Sequence, residues 1–211
     1  SHGTREGMVR AVAVTGGVVT LDATGKIVFT PNVGFSGLSN FTYSVSDSNG
    51  TSDAAVAVTV TPTPITTAVD NPASVIGRTG NASLINALAN DRLNGVAATV
   101  SNVNLTVTSP ASDPGVALDT ATGLVSVAPG TPAGTYAIGY KICETINPTN
   151  CSSNTVNVIV TAAPVVATAD TGAPVISAVG NPNVLNVLSN DTLNGTAVAL
   201  ADVNLTLVSG A

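Results

Sequence analysis

The chain has 211 residues, a formal net charge of −6 and an apolar fraction of 44%, which consists mainly of Val, Ala, Ile and Leu. Its six Lys and Arg residues are scattered and form no run, which argues against nucleic acid or an anionic membrane as a partner. No apolar stretch approaches the ~18 residues of a membrane span, and no basic-then-apolar signal peptide opens the sequence. We therefore expect either a mature product or an excerpt of a longer protein.

The first part of the sequence, after ten irregular residues, has the pattern of short β-strands. Val and Thr suit a pleated surface, while Gly, Pro, Asn and Asp interrupt them at short intervals as turns require. Phe41, Tyr43 and Val45 alternate with polar residues, which predicts a strand with one buried face. Residues 21–26 predict a hairpin turn in which Gly25 supplies a positive φ. The predicted strands cover residues 11–14, 18–21, 26–30, 40–46 and 54–60.

Residues 64–163 form one complete copy of a sequence repeat with a period of 100 residues. The stretch GNASLINALANDRLNG at 80–95 returns at 180–195 as GNPNVLNVLSNDTLNG, and Asp70 returns as Asp170. A fixed period of this length predicts an array of similar domains. Because short strands with frequent turns are typical of a β-sandwich, we expect each unit to be one sandwich.

The second half of this complete copy repeats the pattern of the first part of the chain. Residues 118–123 match the earlier hairpin turn with one residue added, and 155–160 match the strand that ends at Val60. Tyr140 corresponds to Tyr43, and it belongs to an alternating face that we expect to point inward. That face consists of Tyr136, Ile138, Tyr140 and Ile142.

The sequence therefore predicts three segments. Residues 1–63 are the C-terminal half of a repeat, 64–163 a complete repeat, and 164–211 the N-terminal half of a repeat. Pro residues at both junctions, within 62–64 and at Pro164, predict short, stiff linkers and a semi-rigid rod.

Each half repeat is too small to bury a core by itself and would leave an apolar sheet face and strand edges open. We therefore predict assembly surfaces within residues 11–60 and 164–211. Two arrangements would cover these surfaces. The last segment of one molecule docks on the first segment of the next, which gives a head-to-tail filament, or adjoining repeats of a longer array complete both segments.

Cys143 and Cys151 have seven residues between them, including Asn147 and Pro148. This spacing fits a disulfide that closes the mouth of a hairpin, and it would indicate an oxidising, extracytoplasmic location. The alternatives are two free buried thiols or, less favoured, a metal site, since the one histidine of the chain is His2.

The sequence offers no catalytic constellation. His2 lies in the irregular N-terminal stretch, so neither a Ser–His–Asp nor a Cys–His arrangement forms in the body of the fold. Lys141 alternates onto the face opposite Tyr140, which argues against an intramolecular isopeptide bond. We predict a protein that is not an enzyme and has no cofactor.

Calcium is the metal ion for which the sequence offers candidate ligands, and these are oxygen donors in turns. Asp47 and Asn49 lie in one turn, while Asp70, Asp91, Asp170 and Asp191 recur near the domain ends. The alternative is that Asp and Asn cap turns through the backbone without any metal.

Three motifs follow one another in the first segment: an F-T-P turn at 29–31, a G-F-x-G loop at 34–37 and F-x-Y-x-V-x-D-x-N-G at 41–50. In this order they resemble the second half of bacterial cadherin-like or fibril-type Ig-like repeats. The L-x-N-D and L-N-G elements within 88–95 and 188–195 resemble the first half of the same class. Calcium-binding relatives continue with a D-x-D-x-D-G-D-like run, which this chain replaces by DRLNG and DTLNG.

The resemblance implies an all-β fold of tandem Ig-like (Greek-key) β-sandwich domains in a cell-surface or extracellular protein. We predict a structural repeat module of a bacterial fibre or adhesin, forming a homo-oligomer or filament through complementary half-domains. The alternative is a glycan- or protein-binding adhesin module. The low aromatic content of 3% argues against that alternative, because such a module would need an exposed aromatic or acidic patch.

Overall fold

The computed structural model describes residues 10–22 and 24–209, and their regular structure consists of β-strands and one short 3-10 turn. The irregular stretch predicted at 1–10 lies outside the described residues, apart from Arg10, which begins the first strand. Within the part of the chain that the structure describes, no helix is long and apolar enough to cross a membrane.

The first segment contains the strands that the sequence predicts, with their ends shifted by a few residues. They are β1 (Arg10–Val14), β2 (Gly17–Leu21), β3 (Ile27–Pro31), β4 (Gly37–Ser46) and β5 (Thr51–Val60). Strands β1 to β3 form one antiparallel sheet, and β4 and β5 form a separate hairpin. The predicted turn between β2 and β3 is confirmed, because the Asp22 carboxylate accepts the N–H groups of Thr24 and Lys26 and Gly25 has a φ of 85°.

The middle segment forms two facing sheets and a small third one. Its strands are β6 (Ile65–Thr66), β7 (Val75–Ile76), β8 (Asn81–Asn86), β9 (Arg92–Leu93), β10 (Val96–Ala97), β11 (Val103–Ser109), β12 (Val116–Leu118), β13 (Leu124–Val127), β14 (Gly134–Glu144) and β15 (Asn147–Thr161). One sheet has the order β12-β13-β8, the other has the order β11-β14-β15-β7, and the third has the order β10-β9-β6. Strand β7 runs parallel to β15, whereas the other pairs are antiparallel.

The core of the middle segment lies between the two larger sheets. The predicted inward face of β14 is confirmed, since all four of its alternating residues are buried. Val125 and Val127 on β13 oppose Val156 and Val158 on β15, and each is at most 1% exposed. Two sheets of β-branched side chains thus exclude water between them, which is the main stabilising contribution in such a sandwich.

The last segment repeats the beginning of the middle one in detail. It contains β16 (Val165–Val166), β17 (Thr192–Leu193), β18 (Thr196–Ala197) and the 3-10 turn at Leu200–Asp202. The N–H of Asn194 donates to the carbonyl of Pro164 at 2.8 Å, as that of Asn94 donates to Pro64 at 2.7 Å. Both asparagines adopt a positive φ, so the two turns are copies of one another.

The counterparts of β7, β8 and β11 in this last segment, at 175–176, 181–186 and 203–209, are described but form no strands. Residues 175–176 are identical to β7 and five of the seven residues at 203–209 are identical to β11, so propensity does not explain the difference there. In 181–186, Pro182 and Asn183 replace Ala82 and Ser83, and both replacements disfavour a strand. Strands need hydrogen-bonding partners, and β13, β14 and β15 supply them in the middle segment. The last segment has no counterparts of these three strands.

The buried face predicted for β4 is wrong for this chain by itself. Tyr43 is 44% exposed and Val45 is 64% exposed, while Phe41 is half-buried. The alternation that buries β14 is present in β4, but the elements that would cover it are not packed against it. Periodicity predicts which face is apolar, whereas burial requires an opposing layer.

Candidate functional site

A cluster of three polar groups lies in the core of the middle segment. The hydroxyl of Tyr140 on β14 is 3.1 Å and 3.2 Å from the carboxylate oxygens of Asp91, and 3.3 Å from Oδ2 of Asp70. All three side chains are at most 1% exposed. A hydroxyl has one proton to donate and so serves one carboxylate at a time. Protonation of one of the carboxyl groups therefore favours this arrangement.

The backbone fixes both carboxyl groups in place. The N–H of Ala68 donates to Oδ1 of Asp91 at 3.0 Å. The backbone of Asp70 bridges β15, where its N–H donates to Thr155 and its carbonyl accepts the N–H of Asn157. Oδ1 of Asp70 has no hydrogen-bond partner among the described residues.

Burial changes the acidity of every member of this cluster. It raises the pKa of Asp70 to about 6, and the nearby charge of Asp91 adds to the effect. Burial also raises the pKa of Asp91, although the N–H of Ala68 opposes this. The pKa of Tyr140 rises well above its usual value because of burial and the two carboxylates. The cluster thus joins β14 to two loops, and burial favours the protonated form of its carboxyl groups.

The parts of this cluster recur separately in the two outer segments. In the last segment, the N–H of Thr168 donates to Asp191 at 2.7 Å, just as that of Ala68 donates to Asp91. Asp170 lies two residues beyond Thr168, as Asp70 lies two residues beyond Ala68.

The first segment carries the tyrosine of this arrangement. In the β4–β5 hairpin Tyr43 pairs with Ala54, and in the β14–β15 hairpin Tyr140 pairs with Asn154. The pair Gly37 and Val60 likewise matches the pair Gly134 and Val160, so the two hairpins have the same register.

The first segment also has an open groove between its sheet and its hairpin. The groove has a volume of about 650 Å³ and is lined mainly by apolar side chains of β1, β2 and β4. Its principal lining residues are Val12, Val14, Val19, Leu21, Phe41 and Tyr43.

The last segment exposes apolar side chains whose counterparts in the middle segment belong to the core or pack against it. The exposed residues are Val175, Val184, Leu185, Val187 and Leu205. Their counterparts, 100 residues earlier, are Val75, Leu84, Ile85, Ala87 and Leu105. The predicted assembly ranges 11–60 and 164–211 thus contain an open groove and a set of exposed core-type residues, with 210–211 outside the described residues.

Cys143 and Cys151 form a disulfide with an S–S distance of 2.04 Å. They are directly opposite each other on β14 and β15, so the bond clamps the end of this hairpin as the spacing predicts. The tip of the same hairpin lies against the first segment. Asn147 donates to the Ser36 hydroxyl at 3.2 Å, and Asn150 donates to the carbonyl of Thr63 at 2.7 Å.

The residues predicted as calcium ligands lie in three separate places. Asp47 accepts the N–H groups of Asn49 and Gly50, which lower the pKa of Asp47 and hold the exposed turn after β4. Asp70 lies in the core of the middle segment, and Asp170 is exposed on the last segment. Among the residues that the structure describes, no group of three or more His, Cys, Asp or Glu side chains could hold a metal ion. Calcium binding therefore stays a prediction, and the turn geometry gives Asp47 a role without it.

Sequence reasoning missed the cluster of Asp70, Asp91 and Tyr140. Asp91 was noted as one of the aspartates that recur near the domain ends, but it was not placed beside Tyr140, which was assigned to the apolar face. The available signal was the recurrence of both aspartates at the repeat distance, together with a tyrosine hydroxyl on an inward face that needs a buried partner.

The middle segment has the arrangement of an Ig-like β-sandwich. Its two larger sheets face each other, β8 pairs with the distant β13, and β7 runs parallel to β15. Residues 4–61 match the family model of the bacterial Ig domain. The resemblance to bacterial Ig-like repeats is thereby confirmed. No curated protein matches the sequence.

Several solved structures of cadherin ectodomains are similar to this chain. For protocadherin gamma B2 cadherin domains 3–6, the TM-score is 0.37 at 12% identity, covering 72% of this chain and 42% of that one. For the protocadherin gammaB4 extracellular domain, the TM-score is 0.36 at 14% identity, covering 76% and 28%. For mouse cadherin-23 EC22–24, the TM-score is 0.36 at 10% identity, covering 72% and 51%. The chain thus spans about half or less of the length of these structures.

Proposed function

We propose that this chain is a structural repeat module of a bacterial extracellular fibre or adhesin. Its two outer segments are the halves of one Ig-like sandwich, and a neighbouring copy or an adjoining repeat completes them head to tail. The proposal is carried by the exposure of core-type residues on the last segment together with an open apolar groove on the first segment.

The energetic argument follows from the apolar area left in water. Leu205 is 53% exposed, whereas its counterpart Leu105 is 7% exposed. Full burial of a Leu or Val side chain stabilises by about 1.5–3 kcal/mol relative to full exposure. Several such residues on one segment mark an interaction surface rather than an ordinary protein exterior.

The extracellular location rests on two observations. The Cys143–Cys151 disulfide is of a kind that persists in oxidising compartments, and residues 4–61 match a bacterial Ig domain. The function is mechanical and involves no catalysis. The module extends the array, joins its neighbours and resists unfolding through its core and its disulfide.

The test is the mass of the purified chain as a function of concentration, measured by sedimentation velocity. We expect species larger than one chain whose proportion grows with concentration, and Leu205→Asp should reduce them at least tenfold. The matched control is Val96→Asp, because Val96 is 65% exposed on β10 of the middle segment and should leave association unchanged. A monomer at all concentrations, with amides of both outer segments protected from hydrogen exchange, would refute the proposal.

A further inference from the structure

We propose that, when two copies of this chain associate, Asp170 and Asp191 of one copy receive the hydroxyl of Tyr43 of the other, and that this contact sets the register of the interface. The inference rests on the proposed function and adds to it a residue-level recognition site. The arrangement is the Asp70–Tyr140–Asp91 cluster, divided between two chains.

The tyrosine side of the site is already in position. Tyr43 lines the open groove and is half exposed, whereas Tyr140, at the same place in an identical hairpin register, is completely buried. Tyr43 therefore borders open space at the position where Tyr140 meets its two carboxyl groups.

On the carboxylate side of the site, Asp191 is already held in place. The contact from the N–H of Thr168 to Asp191 fixes that carboxylate as Asp91 is fixed in the middle segment. The side chain of Asn190 donates to the carbonyl of Ala169 at 3.2 Å, as that of Asn90 donates to Val69 at 3.4 Å. The two loops that carry Asp170 and Asp191 thus keep their contacts with each other without a tyrosine.

The backbone of the first segment offers the remaining partners. Within the described residues β4 and β5 pair with each other alone, so the outer edges of this hairpin remain open. Asp70 bonds to Thr155 and Asn157 of β15, and the corresponding groups on β5 belong to Ala55 and Ala57. At the other edge, Thr106 pairs with Lys141, and the same register places Thr206 opposite Ser44.

A polar contact at this place specifies the register more strictly than apolar packing does. Apolar side chains tolerate displacement along a groove, but a slipped strand would bury Tyr43, Asp170 or Asp191 without a hydrogen-bond partner. Buried unpaired polar groups are strongly disfavoured, so wrong alignments are rejected. A second copy of this chain is the occupant that matches, because its last segment carries both aspartates and the apolar set at the repeat spacing.

The first experiment is sedimentation velocity on the full-length chain with Tyr43→Phe and, separately, Asp191→Asn. We expect each change to weaken association at least tenfold. The matched control is Tyr136→Phe, whose lost hydroxyl donates to the carbonyl of Pro132 within the middle segment and should leave association unchanged. Association like that of the unmodified chain for both variants would overturn the site while leaving Leu205-dependent assembly standing. No association of the unmodified chain would overturn this inference, and protection of both outer segments from hydrogen exchange in that monomer would overturn the proposed function as well.

The second experiment tests the register directly, by mixing Ser44→Cys chains with Thr206→Cys chains under mild oxidation. These positions lie opposite each other in the proposed alignment, so we expect a disulfide-linked pair of chains. Ser46→Cys mixed with Thr206→Cys is the control, because the two positions are displaced by two residues and fall beyond disulfide reach. Equal cross-linking by both mixtures, or cross-linking by the control alone, would refute the register.

Discussion

A rise in pH is expected to destabilise the middle sandwich through its buried carboxyl pair. The free energy of unfolding is compared at pH 4.5 and pH 7.5, for the unmodified chain and for Asp70→Asn. The pKa of Asp70 is about 6 in the folded protein against an ordinary value of 3.8. A group whose pKa is raised in the folded state contributes its full stabilisation below about pH 4. This contribution is lost as the pH rises through about 6.

The magnitude follows from these two pKa values. For a single group, the linkage relation gives a loss of about 2 kcal/mol in the free energy of unfolding between pH 4.5 and pH 7.5. The raised pKa of Asp91 acts in the same direction. The exposed Asp119 has a lowered pKa and stays ionised across this range, so it does not oppose the trend. Asp70→Asn carries no charge and should remove most of the pH dependence.

The assay is urea unfolding followed by tyrosine fluorescence in a Tyr43→Phe background. The chain has three tyrosines and no tryptophan, so the remaining signal comes from Tyr136 and Tyr140 in the middle segment. Stability that is constant or rises from pH 4.5 to pH 7.5 would refute the reasoning. An equal loss of stability between pH 4.5 and pH 7.5 in Asp70→Asn would also refute it.

Two further predictions concern the same domain. Replacing Cys143 and Cys151 together by Ser should lower its free energy of unfolding by about 2–3 kcal/mol, because the disulfide restricts the unfolded chain; equal stability of the oxidised protein and this variant in urea would contradict that role. Tyr140→Phe should cost about 1–3 kcal/mol, because it leaves two buried carboxyl groups without their shared hydroxyl. Tyr136→Phe, which removes a single hydrogen bond to a backbone carbonyl, should cost about 1 kcal/mol in thermal or urea unfolding, and an equal loss for both variants would argue against a special role of the cluster.

Local residue patterns were enough to predict the strands of the first segment and the inward face of β14. Period-two alternation identifies a strand, and turn residues such as Asp22 and Gly25 mark its ends. The repeat distance predicted the division of the chain, and the cysteine spacing predicted the hairpin clamp, which the structure confirms.

Burial and the polar cluster could not be predicted in the same way, because both depend on residues that are distant in sequence. Val45 and Ile142 have equivalent places in their strands, yet Val45 is exposed and Ile142 is buried, since a second sheet covers the latter alone. Asp70 and Asp91 read as ordinary turn residues, because nothing local indicates that Tyr140 will lie between them. Their high pKa values likewise arise from burial, which sequence distance does not encode.

The parallel pairing of β7 with β15 determines how the middle domain meets a pulling force. The chain enters near Asp70 and leaves after Thr161, and these points lie towards opposite ends of the paired strands. In the proposed array, tension would load the hydrogen bonds at Val75 and Val160 in shear, so that they resist together instead of opening one after another. Because Asp70 lies on this stretch, we expect protonation of Asp70 to stabilise the same part of the domain that would carry the force.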